Sequence, residues 1–223
     1  MSRTITVAGP SYRRYDLLGQ MIASAEQGTL VPDQYLIVDN GGSLVPAAHG
    51  IPTAKTTIEN PGRNLGVAAT WNVVMSRNDD IIIMACDDVR FGARTIEALV
   101  KESEEHPEVG FFFPESASMF TVFLLRKSLY DRIGAFDEGF WPAYFEDNDY
   151  FRRLCLAGEQ RFPVVGVDVG YYHHISATLR TYNTDEMNTH HGRFKANQDY
   201  YYRKWGGLPH HETYATPFNG KKP

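Results

Sequence analysis

Ile81-Ile82-Ile83-Met84-Ala85-Cys86-Asp87-Asp88 is the most apolar stretch of the chain, and it ends on two adjacent carboxylates. A run this short, wholly apolar and rich in β-branched residues reads as a strand over Ile81–Ala85 buried on both faces, the habit of strands inside parallel sheets. Segments before it alternate between two hydrophobic periods. Thr4–Ala8 is a β-branched strand broken by Gly9-Pro10. From Tyr15 to Gln27, Leu17, Leu18, Met21, Ile22 and Ala25 share one helical face, with Gly28 suited to the C-terminal end. Tyr35–Val38 is a strand closed by the turn Asp39-Asn40-Gly41-Gly42, and Lys55–Ile58 a third, shorter one. Gly66–Ser76 is helical with Val67, Trp71, Val74 and Met75 inward. After the apolar run come a helix, Ala93–Glu105, stopped by His106-Pro107, and a strand, Val109–Phe113.

This alternation predicts an α/β fold: a single doubly wound, mainly parallel sheet flanked by helices. Such sheets bind ligands beyond the carboxyl ends of their strands. The polar segments there are Gly9–Arg14, Asp39–Gly42, Asn60–Gly66 and Asp87-Asp88.

The second half is less regular. Val122–Leu125 is a strand, Lys127–Ile133 a short helix, and Gly134–Tyr144 an aromatic, glycine-containing loop. Asp147–Ala157 is helical, with Tyr150, Phe151, Leu154 and Cys155 on one face. Val164–Val169 reads as a strand leading to Tyr171-Tyr172-His173-His174. The aromatic, basic segment Arg193–Trp205 has a helical pattern, as a packing helix with a solvated basic face. The Gly-, Pro- and His-rich residues after it read as extended or mobile. Without repeats or linker-like composition, residues 1–223 read as one domain with an elaborated C-terminal region.

Composition narrows the function. Apolar residues make up 43% and charged residues 22%, which excludes a wholly disordered chain. The net charge of −5 lacks the basic surplus that drives binding to phosphate backbones, although it leaves a nucleic-acid acceptor open. Cys86 and Cys155 cannot build a disulfide framework, and no CxxC pair suggests structural zinc. The longest apolar runs, Ile81–Cys86 and Met119–Leu125, fall far short of the ~20 residues of a membrane helix. The first residues run almost directly into a strand with no signal-peptide pattern, so the expectation is a cytoplasmic protein without an integral membrane segment.

Two acidic groups invite chemistry. Asp87-Asp88 could hold Mg²⁺ or Mn²⁺ together with phosphate oxygens, or simply form a solvated strand end. Glu146-Asp147-Asn148-Asp149 opens a helix, where a cap explains one acidic residue well and three poorly. The loop before it, Gly139-Phe140-Trp141-Pro142-Ala143-Tyr144-Phe145, carries rings of the kind that hold sugars or form a satellite hydrophobic cluster. His173-His174 could add a nitrogen ligand, whereas His190-His191 and His210-His211 lie in polar segments and are read as solvent-facing. GxGxxG after the first strand, GxxxxGK[ST], GxSxG and HExxH are all absent.

In order, these segments resemble the family 2 glycosyltransferases, nucleotide-sugar-dependent enzymes of the GT-A fold, and are similar to bacterial and phage members of the rhamnosyltransferase-like type. The resemblance spans Ile5 to Thr178. It rests on Pro10-Ser11-Tyr12-Arg13-Arg14 with Leu17-Leu18 and Gln27, where Arg13 stands at a position often held by Asn. It continues through Tyr35–Gly42, Asn60–Gly66 with Asn72, Cys86-Asp87-Asp88-Val89, and the most specific block, Gly134-Ala135-Phe136-Asp137-Glu138 with Glu146-Asp147-Asn148-Asp149 and Arg152. Cys86 occupies the first place of the DxD-type metal motif, so the form departs from the strict one.

The resemblance implies an inverting transfer of a hexosyl or deoxyhexosyl group from a UDP-, dTDP- or GDP-sugar to an acceptor hydroxyl, a glycan being the leading acceptor class. It implies nucleotide contacts from Ser11, Arg14, Asp39, Asn64, Gly66, Asn72 and Asp87. Asp147 would be the general base with Glu146 beside it. Mn²⁺ or Mg²⁺ would sit on Asp88 with His173 or His174, and Trp141, Tyr144 and Asp149 would meet the acceptor. Residues 1–113 would form the nucleotide-sugar half, 114–180 the acceptor and catalytic half, and 181–223 an extension. The segment Tyr200–Gly207 resembles tails of some phage and bacterial members. Two other readings stay open: a non-catalytic carbohydrate- or protein-binding relative, and a sugar-1-phosphate nucleotidyltransferase, whose Gly-rich basic loop Gly9-Pro10-Ser11-Tyr12 does not match.

Overall fold

A computed structural model describes residues 3–77, 81–115 and 118–222. In chain order its elements are β1 (Ile5–Ser11), α1 (Tyr15–Glu26), β2 (Gln34–Asp39), β3 (Thr56–Glu59), α2 (Val67–Met75), β4 (Ile81–Ala85), β5 (Val89–Phe91), α3 (Thr95–Glu105), β6 (Phe111–Pro114), β7 (Val122–Leu125), α4 (Lys127–Ile133), α5 (Glu146–Leu156), β8 (Arg161–Val164), β9 (Tyr171–His173) and α6 (Thr184–Trp205).

The apolar run is the inner strand on which the sheet is assembled. All five residues of β4 are buried, and their alternation splits the core into two layers. Ile81, Ile83 and Ala85 face Leu18, Met21 and Ile22 of α1 and Leu99 of α3. Ile82 and Met84 face Trp71 and Val74 of α2 with Tyr150 and Leu154 of α5. Each such Ile or Met, fully buried, adds about 1.5–3 kcal/mol relative to exposure. The strand order is β3-β2-β1-β4-β7-β6-β8. Four pairings are parallel, β1 with β2 and β4, β2 with β3, and β6 with β8. Only β7 runs against its neighbours β4 and β6. The mainly parallel, doubly wound sheet expected from sequence is therefore present.

Three expectations need correction. The strand placed at 164–169 lies earlier, at β8, where Phe162 pairs with Phe112; the β-branched residues beyond it, Val165 and Val167, are 65% and 79% exposed around Gly166. The chain then re-enters order in β9, which pairs with β5 as a separate antiparallel ribbon. The C-terminal helix starts nine residues before the aromatic segment, at Thr184, behind a capping box in which Asn183 accepts from the Glu186 N–H. Lastly, the chain after α6 is folded back rather than extended. Gly206 takes the left-handed conformation (φ 72°), Thr213 and Tyr214 donate to Trp205 O at 3.1 and 3.0 Å, and Tyr201 donates to Glu212 at 2.5 Å.

Candidate active site

A cleft of about 400 Å³ opens over the carboxyl ends of β1 and β4. Its floor carries the two carboxylates after β4, in different surroundings. Asp87 Oδ2 accepts from Ser11 Oγ at 2.8 Å and from the Tyr12 N–H at 3.2 Å. Burial pushes the Asp87 pKa up to about 7, the Ser11 hydrogen bond opposing it and the Asp88 charge adding to it. Asp88 Oδ1 lies 3.0 Å from His173 Nε2, and the Asp88 carbonyl accepts from the His174 N–H at 2.9 Å. The register of the ribbon, Val89 opposite His173, makes that meeting. His174 is separated from it: its ring stands edge-on to Tyr172 at 4.7 Å and its buried Nε2 has no hydrogen-bond partner. Between strand and carboxylates, the Cys86 thiol is pushed well up in pKa by burial, then by Asp88 and Asp87, and stays protonated at neutral pH.

The opposite wall is the first turn of α5. Tyr144 and Phe145 both take left-handed backbone (φ 77° and 74°), a costly pair for aromatic residues, and turn the chain into the helix. Glu146 is 6% exposed and its Oε2 has no partner. Burial, followed by the neighbouring Asp147 charge, holds the Glu146 pKa well above the usual carboxylate range. Burial also raises Asp147, against the Asn148 N–H that donates to its Oδ1 at 2.8 Å. A helix N-terminus favours carboxylate charge, yet here desolvation wins over it. These are groups placed to take up a proton.

Other sequence-chosen residues divide between cleft and scaffold. Asn64 and Gly66 line the cleft. Gly66 sits at φ 81°, and a Cβ there would meet Pro142 O at 2.6 Å, where Val67 N–H donates at 2.8 Å. Asp39 is 2% exposed: its oxygens accept from Tyr15 OH at 2.6 Å and from the N–H groups of Gly41, Gly42 and Leu44. Asn72 is engaged with the 134–138 loop, exchanging hydrogen bonds with Phe136 N–H and O at 2.8 and 2.9 Å. Arg14 donates to Ala177 O at 2.7 Å, fastening a segment that lines the cleft. Trp141 is 38% exposed and donates to Asn64 O at 3.1 Å, with the Arg193 guanidinium 4.7 Å above its ring. Tyr144 lines the cleft, whereas Asp149 is fully buried on the far side of α5.

Among the cleft residues not selected from sequence are Tyr12, Asn40, Tyr182 and His190. Asn40 and Tyr12 belong to segments directly after strands, which was signal enough. His190 corrects the solvent-facing reading. It is half-buried beside Tyr144 and Tyr182, ring centroids 5.4 and 6.1 Å away, and burial lowers its pKa. His191, His210 and His211 are exposed.

No protein-family model matches the sequence. The chain is 26% identical over 80 residues to a galactofuranosyl glycosyltransferase of Leishmania donovani, covering 36% of this chain and 18% of that protein. It is 27% identical over 186 residues to the uncharacterized glycosyltransferase YwdF of Bacillus subtilis strain 168, covering 68% of each. The chain thus spans under a fifth of the first relative and about two thirds of the second. Among solved structures, the mannosyltransferase PcManGT of Pyrobaculum calidifontis, in complex with GDP-Man and Mn²⁺, superposes with a TM-score of 0.59 at 15% identity, over 73% of this chain and 55% of that one. A Drosophila β-1,4-galactosyltransferase 7 mutant, in complex with manganese, UDP-Gal and xylobiose, gives 0.55 at 15% identity, over 83% and 79%. The fold is that of the GT-A glycosyltransferases.

In this GT-A cleft, no three His, Cys, Asp or Glu side chains among the described residues converge to hold a metal by themselves. Asp88 and His173 place a carboxylate oxygen and an imidazole nitrogen side by side. That donor pair fits a divalent ion whose remaining ligands are diphosphate oxygens and water. Among the described residues no helix is long and apolar enough to cross a membrane.

Proposed function

We propose that the chain is an inverting glycosyltransferase of the family 2 kind. It would move a sugar from a nucleoside-diphosphate sugar to an acceptor hydroxyl. The observation that carries this reading is the pairing, in one cleft, of a partnered Asp88–His173 site with the desolvated Glu146–Asp147 pair. Residues 1–113 would form the nucleotide-sugar half, with Ser11, Asp87, Asn64 and Gly66 at the nucleotide; 114–180 the acceptor half; and 181–223 an extension against it.

Asp88 and His173 would hold Mn²⁺ or Mg²⁺. When bound, such an ion neutralises the charge that develops on the departing diphosphate. Asp147 accepts the proton of the attacking hydroxyl, and its raised pKa makes it a stronger acceptor than a solvated carboxylate. Burial and the neighbouring Asp147 charge both raise the Glu146 pKa, so the pair resists carrying two charges at once. Tyr144 stands at the acceptor end, and Trp141 packs against Gly66 beside the cleft. Attack from the face opposite the diphosphate inverts the anomeric carbon without a covalent enzyme intermediate. The free thiols Cys86 and Cys155 suit a cytoplasmic place of work.

The relatives carry the donor class no further than their own complexes with GDP-Man and UDP-Gal. The test is to incubate the chain with UDP-galactose, UDP-N-acetylglucosamine, GDP-mannose and dTDP-rhamnose in Mn²⁺. Nucleoside diphosphate release is followed while proton NMR reads the anomer of the released sugar before it equilibrates. Release with inverted configuration is expected. Retained configuration would overturn the mechanism, and no release from any donor would overturn the catalytic reading.

A further inference from the structure

The aromatic, basic end of α6 buries a lysine. Lys204 is 7% exposed, with Nζ 2.6 Å from Asp137 Oδ2 and 2.5 Å from Asp149 Oδ1. Both carboxylates belong to the acidic block of the sequence, yet neither lines the cleft. Asp137 stands in the loop between α4 and α5, where Tyr200 OH also donates to it at 3.0 Å and the Gly139 N–H at 2.9 Å. Burial works to raise the Asp137 pKa, but the Lys204 hydrogen bond and charge outweigh it and hold it low. Asp149 lies within the first turn of α5 and accepts from Trp205 Nε1 at 2.9 Å and from Arg153 Nε at 3.0 Å. Arg153 reaches on to Ile133 O and Gly134 O at 3.0 and 3.3 Å. Two carboxylates and two cations are thus interleaved in one buried cluster that joins the 133–139 loop, the start of α5 and the end of α6.

We propose that Lys204 is a positioning residue for the reaction: by clamping Asp137 to Asp149 it fixes the first turn of α5, and with it Glu146 and Asp147, against the cleft. This role rests on the proposal that Asp147 is the base. The geometry favours it over simple attachment of the C-terminal helix. That helix already has an apolar anchor in Phe140, Phe145, Tyr201 and Trp205, which does not need a charge among it. What the charge adds is direction. Asp149 is two residues from Asp147, on the opposite side of the same turn, so a pull on Asp149 sets how far Asp147 projects. The costly left-handed backbone at Tyr144 and Phe145, immediately before that turn, needs such an outside hold. Displacement of a reacting group by about 1 Å is enough to cost ~10²-fold in rate.

The test uses K204M, K204R and the charge-balanced double variant D149N/K204M in the full chain. Three readouts are taken: UDP and GDP binding with Mn²⁺ by calorimetry, nucleoside diphosphate release from the donors above, and amide hydrogen exchange over residues 145–150. Expected for K204M is binding within about twofold of wild type, release lowered ~10²-fold, and faster exchange confined to 145–150. K204R, which keeps the charge, should recover at least about tenfold of the lost rate. Where K204M does not fold, the double variant carries the same expectation. Wild-type turnover in either folded variant would overturn the proposal, as would loss of binding and turnover together with general loosening of β1 and β4. If wild type cleaves no donor, the base assignment falls separately. Exchange then decides the clamp alone, and unchanged exchange at 145–150 overturns it.

Discussion

The cleft holds two acidic pairs, one at the end of a strand and one at the start of a helix, and they differ in their partners rather than in burial, which also raises the Asp87 pKa to about 7. Asp87 and Asp88 are partnered: Ser11 and the Tyr12 N–H serve the first, His173 the second. In the helix pair, one Glu146 oxygen is unpartnered, and Asp147 is met by backbone N–H groups, that of Asn148 at 2.8 Å among them. Polar partners fix a carboxylate's direction and suit it to holding a cation; desolvation without partners raises its proton affinity and suits it to accepting one. The same residue type thus stands in two environments, one strand-borne and one helix-borne, to which the proposed function assigns two jobs. The strand end gets its partners from elements distant in sequence, at positions 11 and 173, whereas the helix start gets its character from what is withheld.

If that division is right, removing one pair should spare the work of the other. The largest expected effect is Asp147→Asn, which should lower turnover by ~10²–10⁴ while nucleotide binding stays near wild type; a steady-state rate and a calorimetric titration check both halves. Asp88→Asn or His173→Gln should do the reverse first, weakening Mn²⁺-dependent diphosphate binding by roughly 10–100-fold. Equal binding with and without EDTA in wild type would remove the strand pair from the comparison. A pH profile sharpens it further. Because burial raises Asp147, the acid limb of kcat/KM should lie above the ordinary aspartate value of 3.8, with activity falling as pH drops through it. The limb should move or vanish in Asp147→Asn. The smallest effect concerns stability. Glu146 binds its proton more tightly folded than unfolded, so its favourable contribution is complete below 4.5 and is lost as pH rises through the higher folded value. Glu146→Gln should therefore raise the Tm at pH 8 and not at pH 4. Equal shifts at both pH values would show that charge burial is not the cause.

Both acidic pairs were legible in the sequence because each sits at a boundary between a buried run and a polar one. Ile81–Ala85 needs no tertiary information to read as an inner strand, and the residues just beyond an inner strand of such a sheet face its ligand edge. The partners were less legible. His173 and His174 are equivalent in sequence; only the β5–β9 register puts the first on Asp88. The strand at 164–169 was misplaced because β-branched residues there met Gly166 and no neighbour to pair with, while less typical residues at 161–164 met the open edge of β6. His190 was unreadable since its burial comes from Tyr144, 46 residues away, and from the turn of a helix longer than its aromatic pattern. Asp149 could have been set apart in advance. Two residues from Asp147 on a helix, it faces about 200° away. Arg153 is a local i,i+4 partner, but Lys204 and Trp205 lie beyond any local pattern.

The central claim is that the strand-borne pair holds a nucleoside diphosphate through a divalent ion. Calorimetric titration of UDP, GDP, dTDP and CDP in Mn²⁺, repeated in excess EDTA, tests it most directly. The account predicts selective binding of one diphosphate that is lost on chelation and weakened in Asp88→Asn, with Asp147→Asn unaffected. Binding that ignores the chelator, or no binding of any of the four, would contradict it.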